Sequence, residues 1–314
     1  MSSVGPENRV TPKVDGVEVA LSGRWLKTAR LANEWYEDVD NPTALMAGLK
    51  DAGHRADLLT FWQRLPHIEP RYNFHLEWDS IAALRVTTYQ QWYKSQINNK
   101  TRNLIVKAQK KGVEVRPATF DDAFVQGMTA IFNETPIRQE RAFLHYGKSA
   151  DTVRREFSRF LHREDLFGAY IGDELIGFIF LANAGSFVYL GQIISFLKHR
   201  DKSPQNALIA KAVEYCAEKQ IPHLVYALWP RGPLREFKRH NAFECVNVPR
   251  YYVPLTAKGA LALRLGLHRE VVEWLPENVV PVLKDLRAKF YSFRYRPKIE
   301  DPNPRSSNPQ SPLV

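Results

Sequence analysis

The stretch from Phe187 to Val253 alternates between strand-like and helix-like patterns, and this alternation constrains the fold more than any other feature of the chain. The predicted order is strand, turn, helix, strand, short helix and strand. The helices and strands cover Phe187–Phe196, Ser203–Lys219, His223–Leu228, Leu234–His240 and Phe243–Leu255. Strands joined through helices are typical of an α/β sheet. The longest helix is predicted to begin with Ser203 as its cap and Pro204 at its first helical position.

The same regularity extends upstream as far as Gly112. The pattern there predicts a strand, two helices and two further strands that are joined by a tight turn. These elements cover Val113–Pro117, Phe120–Phe132, Ala150–His162, Leu166–Ile171 and Glu174–Ala182. Residues 112–255 are therefore predicted to form one α/β domain with the order β-α-α-β-β-β-α-β-α-β.

The rest of the chain is expected to flank this domain. Residues 16–111 are predicted to form an N-terminal α/β part, with strand-like and helical segments at Gly16–Ala20, Ala29–Tyr36, Pro42–Asp51, Asp57–Trp62 and Tyr72–Trp78. Residues 256–296 are predicted to form C-terminal helices, over Thr256–Leu267 and Val279–Tyr295. Residues 1–15 are predicted to be loose. Residues 297–314 are rich in Pro, Ser and Asn and are predicted to be disordered.

The helix that ends the N-terminal part, predicted over Tyr89–Gly112, is strongly basic. It has no acidic residue between Lys94 and Lys111, and the whole chain carries 44 Lys and Arg against 34 Asp and Glu, a net charge of +10. Such a surplus suits an anionic partner, such as a nucleotide-bearing cofactor, a nucleic acid or a membrane surface. The helix is either a solvated face or an electrostatic track for a phosphate-rich ligand.

The cysteines and the apolar runs narrow the other possibilities. Neither Cys216 nor Cys245 has a Cys or His neighbour at zinc-ligand spacing, so no metal site is expected. No stretch approaches roughly 18 apolar residues, and residues 1–20 lack the apolar run of a signal peptide. From these patterns we expect a cytoplasmic protein without stable membrane insertion. The patterns do not indicate an oligomeric state.

Two motifs within the regular domain resemble signatures of the GNAT acyltransferase superfamily. In that family the fourth strand leads into a loop Gln/Arg-x-x-Gly-x-Gly/Ala. Here Arg200 takes the first place, and Ser203 and Gln205 take the two glycine places. The family's next signature is a small helix that ends in Tyr-x-x-x-Gly-Phe. Lys238 stands here in the tyrosine place and Ala242 in the glycine place.

The pair Phe237-Lys238, together with the glycine-poor loop, resembles the FemAB-like branch of the superfamily more closely. So does the basic run Arg102–Val113 that leads into the first strand of the domain. The resemblance implies a GNAT-like mixed central sheet flanked by helices, over about half of the chain. It extends to Gly16 if the N-terminal part is a reduced second GNAT-like half.

The resemblance also implies where an acyl donor would bind. The donor's arm would follow the splayed edge of the fourth strand, and its pyrophosphate would lie at the following helix start. The cofactor-binding residues implied in this way are Ile193, Ile194, Ser195, Arg200, Ser203, Gln205 and Asn206. The side chains of Ser203 and Gln205 leave less room for a phosphate than glycines would, and Pro204 removes one N–H donor.

Acyl transfer to an amine also needs a route for the amine proton and stabilisation of the developing oxyanion. The catalytic candidates are Glu134, Lys238 and Tyr252. The loop after Phe132 joins the first two helices of the domain and covers the acceptor side in this fold. The acceptor-binding candidates, on this loop and on the fourth strand, are Arg138, Arg141, His145, Tyr146 and Gln192. Each also has a simpler interpretation as a solvated or packed side chain.

The leading hypothesis is an N-acyltransferase that moves an acyl group from an acyl thioester to a small-molecule or peptide amine, with acyl-CoA, first of all acetyl-CoA, as co-substrate. The alternative is a FemAB-like aminoacyltransferase that uses aminoacyl-tRNA. The missing glycines and the basic helix favour this alternative, and the short chain disfavours it. A third hypothesis is a non-catalytic nucleic-acid-binding protein on a degenerate GNAT scaffold, for which Trp92 and Tyr93 would supply base stacking.

Overall fold

A computed structural model describes residues 10–14, 16–53, 55–138, 141–230 and 232–269. Its strands are β1 Val10–Val14, β2 Val17–Ser22, β3 Thr28–Leu31, β4 Leu58–Trp62, β5 His75–Arg85, β6 Glu114–Pro117, β7 Ile137–Arg138, β8 Arg141–Ala142, β9 Glu164–Ile171, β10 Glu174–Asn183, β11 Val188–Ser195, β12 His223–Leu228 and β13 Glu244–Pro254. Its α-helices are α1 Pro42–Asp51, α2 Tyr89–Gln91, α3 Asn99–Lys110, α4 Asp122–Phe132, α5 Ala150–Phe157, α6 Pro204–Glu218, α7 Pro233–His240 and α8 Ala257–Arg264. The mixed sheet flanked by helices that the sequence predicts is confirmed.

Eleven of these strands form one continuous sheet, in the order β1-β2-β3-β4-β13-β5-β12-β11-β10-β9-β6. Strand β5 comes from the N-terminal part, yet it lies between β12 and β13 and pairs with both in antiparallel orientation. The pairing with β13 is long, from Glu244 opposite Ala83 to Tyr252 opposite His75. Residues 16–111 and 112–255 therefore share one sheet, and hydrogen bonds between strands join the two parts.

Helices cover the two faces of β9, β10 and β11, and aromatic side chains fill the space on one of them. Helix α4 packs there through Phe124 and Phe132, whose rings lie 6.0 and 5.7 Å from that of Phe178 on β10. Helix α6 covers the opposite face, where Tyr215 lies 5.9 Å from Phe167 on β9. Burial of these large rings supplies the main stabilisation of this half of the sheet.

Two predicted helices differ from the observed structure. The segment Ala29–Tyr36 is not helical, because Thr28–Leu31 pairs with β2 on one side and β4 on the other. The helix predicted over Tyr89–Gly112 is interrupted: α2 continues into a π-helical turn, Ile97 is extended, and Asn98 caps α3 by accepting a hydrogen bond from the Thr101 N–H (2.9 Å). Pairing with neighbouring strands and a local cap outweigh helical propensity at these places.

The observed structure near the two ends of the chain agrees only in part with the prediction. Val10–Val14 belongs to the segment predicted to be loose, but it forms β1 and pairs with β2, which corrects that prediction in part. The first predicted C-terminal helix is present as α8. The second, Val279–Tyr295, and the tail 297–314 lie outside the described residues. Cys216 is a buried free thiol, and burial raises its pKa to about 12. Within the described ranges, no helix is both long and apolar enough to cross a bilayer.

Two of the three positions where the resemblance places a glycine and this chain has a larger residue have a left-handed backbone, and the third, Gln205, lies in the first turn of α6. Ser203 has φ 57° and Ala242 has φ 65°. Ala242 follows the end of α7, where its N–H donates to Arg239 O (2.9 Å) and the Phe243 N–H donates to Lys238 O (3.0 Å). This is the paired hydrogen bonding of a Schellman motif, whose left-handed residue is usually glycine. Ser203 and Ala242 therefore adopt a left-handed conformation that glycine adopts at the lowest steric cost.

Replacement of Ala242 by glycine is expected to raise the free energy of unfolding by about 0.5–1 kcal/mol, because it removes the steric cost of the left-handed conformation. The measurement is urea denaturation. Ala130→Gly is the matched control, because Ala130 lies on the exposed side of α4 and there glycine should cost about 1 kcal/mol. Equal destabilisation by both substitutions would contradict the left-handed geometry at Ala242.

Candidate active site

Strands β11 and β12 run parallel but separate soon after they meet. Their pairing is confined to Val188 with Leu224 and Tyr189 with Val225. Beyond this point β11 continues to Ser195 and β12 to Leu228 without pairing to each other. The two strands therefore bound a V-shaped opening, with unpaired backbone groups of β11 along one wall.

The wall on β11 contains a bulge at Gly191. The register with β10 passes from Gln192 opposite Phe180 to Leu190 opposite Leu181, so Gly191 is the extra residue. A bulge re-aims the backbone of the strand that contains it. Gln192, one of the predicted acceptor-binding residues, directly follows this bulge and is half-buried.

Backbone groups of Ile193 face the opening. The N–H of Phe196 donates to Ile176 O (2.9 Å), on the side of β10, whereas Ser195 O accepts from Arg138 Nη1 (2.9 Å) on the other side. Because backbone groups alternate along a strand, those of Ile193 point the same way as those of Ser195. The side chains of Ile193, Ile194 and Ser195 are buried, so these residues offer a ligand their backbone.

Lys238 lies against the other wall of the opening. Its side chain is 2 % exposed. The ammonium donates to Tyr226 O and to Leu228 O (3.0 Å), both on the part of β12 that has left β11. Nζ also lies 4.1 Å from the centre of the Tyr226 ring. The side chain reaches this position because the side of α7 that contains Lys238 faces β12.

No carboxylate of the described residues pairs with Lys238. Burial therefore lowers the pKa of its ammonium from 10.5 to about 7. An amine with this pKa can donate a proton and take it back near neutral pH, which is the property required of a general acid or base. The predicted catalytic role of Lys238 thus has a matching chemical environment, and it stays a prediction until activity is measured.

The loop predicted to hold a pyrophosphate is a 3₁₀-helix, Leu197–Lys202, followed by left-handed Ser203. The first two donors of this helix are already used, because the Glu134 carboxylate accepts the N–H groups of Leu197 (2.7 Å) and Lys198 (2.8 Å). A phosphate would have to displace this carboxylate to use the same groups. Arg200 is exposed at the surface of this turn.

The start of α6 retains one open donor. Ser203 N–H donates to Arg200 O (3.1 Å) and Asn206 N–H donates to Ser203 O (3.1 Å). Pro204 has no N–H, which leaves the N–H of Gln205 as the first helical donor without an acceptor in the described part of the chain. Of the predicted cofactor residues, Gln205 is half-buried and Asn206 is buried.

Arg138 ties the acceptor loop to the end of β11. Besides its bond to Ser195 O, its guanidinium donates to Ile131 O (2.9 Å) and to the Glu134 carboxylate (2.9 Å). Its side chain and that of Glu134 are 12 % and 17 % exposed. The guanidinium and the carboxylate are therefore engaged within the protein. This geometry favours a positioning role for both, whereas the sequence suggested acceptor binding for Arg138 and proton transfer for Glu134.

The other candidates on this loop are divided between the core and the surface. His145 stacks on Phe132 with ring centroids 4.6 Å apart, and burial, reinforced by the charge of Lys148, lowers its pKa to about 4. Its imidazole is therefore neutral at physiological pH. Tyr146 is exposed. Arg141 belongs to the short strand β8, which pairs with β7.

The third catalytic candidate, Tyr252, packs on a cluster of charged side chains at the start of β5. Its ring lies 4.7 Å from that of His268. The ligand atoms of His75, Glu77 and His268 lie within 4.8 Å of one another, the spacing of a possible metal site. However, His268 Nε2 (2.9 Å) and Arg269 Nε (3.0 Å) both lie against Glu77 Oε1. A guanidinium on the same oxygen competes with a cation, so we interpret the cluster as hydrogen-bonded ion pairs.

In the basic segment, one arginine is engaged in hydrogen bonds within the protein, and several lysines are exposed. The Arg102 guanidinium donates to the carbonyls of Tyr93 (2.9 Å) and Ile97 (2.7 Å), where it closes the break between the π-helical turn and α3. The exposed basic side chains of this segment are Lys94, Lys100, Lys107, Lys110 and Lys111. The Thr101 hydroxyl donates to His240 O (2.9 Å), so the N-terminus of α3 lies beside the end of α7.

Sequence reasoning did not single out two residues beside the bulge. Tyr36 donates to Glu164 Oε1 (2.6 Å), and both side chains are half-buried. A Cβ atom built on Gly191 would lie 3.2 Å from Tyr36 Oη and 3.5 Å from Glu164 Oε1. One signal for Glu164 was available, because it shares a strand face with the buried Leu166 two residues later. No sequence signal pointed to Tyr36, because the segment that contains it was predicted to be a helix, and this helix does not form.

Solved structures resemble this fold, whereas the comparisons of sequence find no match. No protein-family model matches the chain, and no curated protein sequence matches it. The structure is similar to that of L-PGS from Bacillus licheniformis, with a TM-score of 0.51 and 13 % identity over 80 % of this chain and 86 % of that one. It is similar to the C-terminal domain of a lysylphosphatidylglycerol synthetase predicted for Agrobacterium fabrum (0.51, 13 %, 79 % and 84 %). It is also similar to FemX (0.51, 10 %, 74 % and 83 %). At this identity the similarity establishes the fold, which confirms the predicted GNAT-like architecture.

Proposed function

We propose that the chain transfers an acyl group from an activated carboxylic donor to an amine. One observation carries this proposal: the opening between β11 and β12 has an outward-facing backbone at Ile193 on one wall and the buried ammonium of Lys238 against the other. An N–H donor and a cation are the groups that stabilise a tetrahedral oxyanion and protonate a leaving group. The similar solved structures include FemX, L-PGS and a domain named for lysylphosphatidylglycerol synthesis.

In this proposal the donor carbonyl lies along the β11 edge and accepts the Ile193 N–H. The amine attacks the carbonyl carbon, and a carbon–nitrogen bond forms as the carbonyl π electrons move to oxygen. Collapse of this intermediate breaks the bond to sulfur or oxygen, and the leaving group takes a proton from the Lys238 ammonium. The acceptor approaches from the loop after α4 and past Gln192.

An acyl thioester such as acetyl-CoA is the simpler donor. Its pyrophosphate would bind at the start of α6, where Gln205 supplies an open N–H and Arg200 adds a positive charge. Ser203, at the first glycine place of the motif, has the left-handed backbone that glycine adopts most readily. Asn206 would support this turn from within the helix.

Aminoacyl-tRNA is the second candidate donor, and a specific contact favours it. The Glu134 carboxylate occupies the N–H groups of Leu197 and Lys198, which repels a pyrophosphate at that point. A tRNA acceptor end needs no pyrophosphate cradle. The N-terminus of α3 lies beside the end of α7, which contains Lys238, and the exposed lysines along α3 would contact the phosphate backbone. The third hypothesis, nucleic-acid binding without catalysis, requires the same lysines but no role for Lys238.

The two donors are distinguished by binding measurements. If the donor is a thioester, saturating acetyl-CoA should raise the melting temperature, because a ligand that binds only the folded state stabilises it. If the donor is aminoacyl-tRNA, the melting temperature should not respond to acetyl-CoA. The protein should then bind charged tRNA with a steep salt dependence and transfer its aminoacyl group to an amine.

The triple substitution Lys100→Glu, Lys107→Glu and Lys110→Glu is expected to reduce the slope of log affinity for tRNA against log salt by about 2–3, roughly one for each lysine that no longer neutralises a phosphate. Lys50→Glu with Lys219→Glu is the matched control, because both residues are exposed on other helices. Equal reductions in the two sets would contradict a track on α3. Binding of uncharged strands without any transfer would favour the non-catalytic hypothesis.

A further inference from the structure

A buried carboxyl group lies beside the bulge of β11. Glu164 begins β9, and its Oε1 accepts a hydrogen bond from the Tyr36 hydroxyl (2.6 Å). Among the described residues no lysine, arginine or histidine forms an ion pair with it. A half-buried carboxyl without a cationic partner is costly to maintain, so it calls for an explanation other than stability.

The contact with Gly191 places this carboxyl at the candidate active site. The site of a Gly191 side chain lies within 3.5 Å of both Glu164 Oε1 and Tyr36 Oη. A Cβ atom there would be tight against Tyr36 Oη (3.2 Å) and in van der Waals contact with Glu164 Oε1, so glycine leaves the two oxygens more room beside the strand. Gly191 is also the bulged residue at which β11 leaves β12. The carboxyl therefore adjoins the backbone that lines the root of the opening.

The surroundings of Glu164 make its carboxylate a good proton acceptor. Burial raises the pKa of its carboxyl group above the ordinary value, and the hydrogen bond from Tyr36 opposes this only in part. The titratable groups that face it are Tyr36 and Tyr189, whose own pKa values are raised by burial and by the Glu164 charge, so both hydroxyls stay protonated. A carboxylate whose pKa is raised toward neutral is a better proton acceptor than an exposed one.

Tyr36 is held firmly in place. Its ring stacks on Phe160 with centroids 4.3 Å apart, and its carbonyl accepts from Arg163 Nη1 (2.9 Å). The preceding residue, Trp35, stacks on Tyr189 at 4.7 Å. The N-terminal part of the chain thus brings a hydroxyl to the carboxyl of the GNAT-like domain and fixes its direction.

We propose that Glu164 is the general base of the acyl transfer, which takes a proton from the charged acceptor amine before its nitrogen attacks the donor carbonyl, and that Tyr36 is the positioning residue that orients the carboxylate. This inference rests on the proposed function. The proton moves to the Glu164 carboxylate, the N–H bond electrons become the nitrogen lone pair, and this pair forms the new carbon–nitrogen bond. As the intermediate collapses, the nitrogen loses its second proton to the Lys238 amine, which has given its own proton to the leaving group. Glu164 and Lys238 then divide the proton transfers between the acceptor and the leaving group.

The test compares two acceptors with the donor that the binding measurements select. Alkylamines such as n-butylamine are charged at neutral pH and need a base, whereas hydroxylamine is largely uncharged and does not. Glu164→Gln keeps the hydrogen bond from Tyr36 and should fold normally. It is expected to lower transfer to n-butylamine by about 100-fold or more and transfer to hydroxylamine by less than about fivefold. Asp165→Asn is the matched control, since Asp165 bonds to Tyr215 on the opposite face of the sheet.

Tyr36→Phe supplies a readout that a purely structural role would not change. Loss of its hydrogen bond destabilises the carboxylate, so the acid limb of the rate profile should move to higher pH. Equal loss of transfer to both amines in Glu164→Gln, or no loss to either, would overturn the inference while the proposed function stands. If the wild-type protein transfers to no amine, the proposed function fails, and the inference fails with it.

Discussion

Replacement of Lys238 by methionine is expected to lower the rate of acyl transfer by about 100- to 1,000-fold. Methionine has a similar length and fits a buried site, but it supplies neither a positive charge nor a proton. The loss should appear mainly in kcat, because the ammonium acts on charge that develops in the transition state. Lys211→Met is the matched control: Lys211 is half-buried on α6 and pairs with Glu214, and its replacement should change the rate by less than about twofold.

The same variant tests the lowered pKa of Lys238 through the pH dependence of stability. The pKa of Lys238 is about 7 in the folded chain and near its ordinary value of 10.5 in the unfolded chain. Between these values the unfolded chain binds more protons, so the free energy of unfolding rises with pH through this window. From about pH 7 to about pH 9.5 the wild type should gain about 2–4 kcal/mol over Lys238→Met.

Urea denaturation of both proteins at the two pH values measures this difference, and groups common to both cancel. A constant difference between wild type and variant would show that Lys238 has an ordinary pKa, and it would remove the chemical argument for its role. Full activity of a folded Lys238→Met protein would contradict the proposed mechanism directly.

Replacement of Arg138 by methionine is expected to lower the free energy of unfolding by about 3 kcal/mol. The substitution removes the donors to Ser195 O and Ile131 O and leaves the Glu134 carboxylate without its cation in a largely buried place. Unpaired buried groups of this kind account for the largest effects of single substitutions. Urea denaturation measures the effect.

Two further variants show whether the loss comes from this network. Arg155→Met removes an exposed arginine on α5 and should cost less than about 0.5 kcal/mol. Glu134→Gln, alone and combined with Arg138→Met, gives the coupling energy of the pair. If the two substitutions add independently, the guanidinium and the carboxylate do not act together, and the link from the acceptor loop to β11 is not the source of stability.

Much of the GNAT-like half follows from the sequence. Strand alternation and turn residues predict β9, β10 and β11 closely, and the helix start at Ser203 with Pro204 predicts α6. These signals are local, because side-chain periodicity and capping depend on neighbours in the chain. The motif positions were informative for the same reason, because Ser203 and Ala242, which stand at two glycine places of the motifs, both have positive φ.

The candidate site was less predictable, because its geometry depends on contacts between distant segments. Tyr36 meets Glu164 across 128 positions of the chain, and Arg138 meets Ser195 across 57. The periodicity of apolar residues along the chain contains no information about such contacts. The sequence also could not show that the Glu134 carboxylate would occupy the donors of the next loop. Residue type alone suggested proton transfer, whereas the surrounding N–H groups and the guanidinium indicate a positioning role.

The position of β5 between β12 and β13 has a consequence for synthesis of the protein. The segment His75–Arg85 leaves the ribosome long before either of the strands that flank it. It must wait for Glu244–Pro254 before the middle of the sheet can close, and such long-range pairing slows folding. A gene fragment that begins at residue 112 would leave a strand-wide gap between β12 and β13. The two parts of the coding sequence are therefore expected to be inseparable in expression.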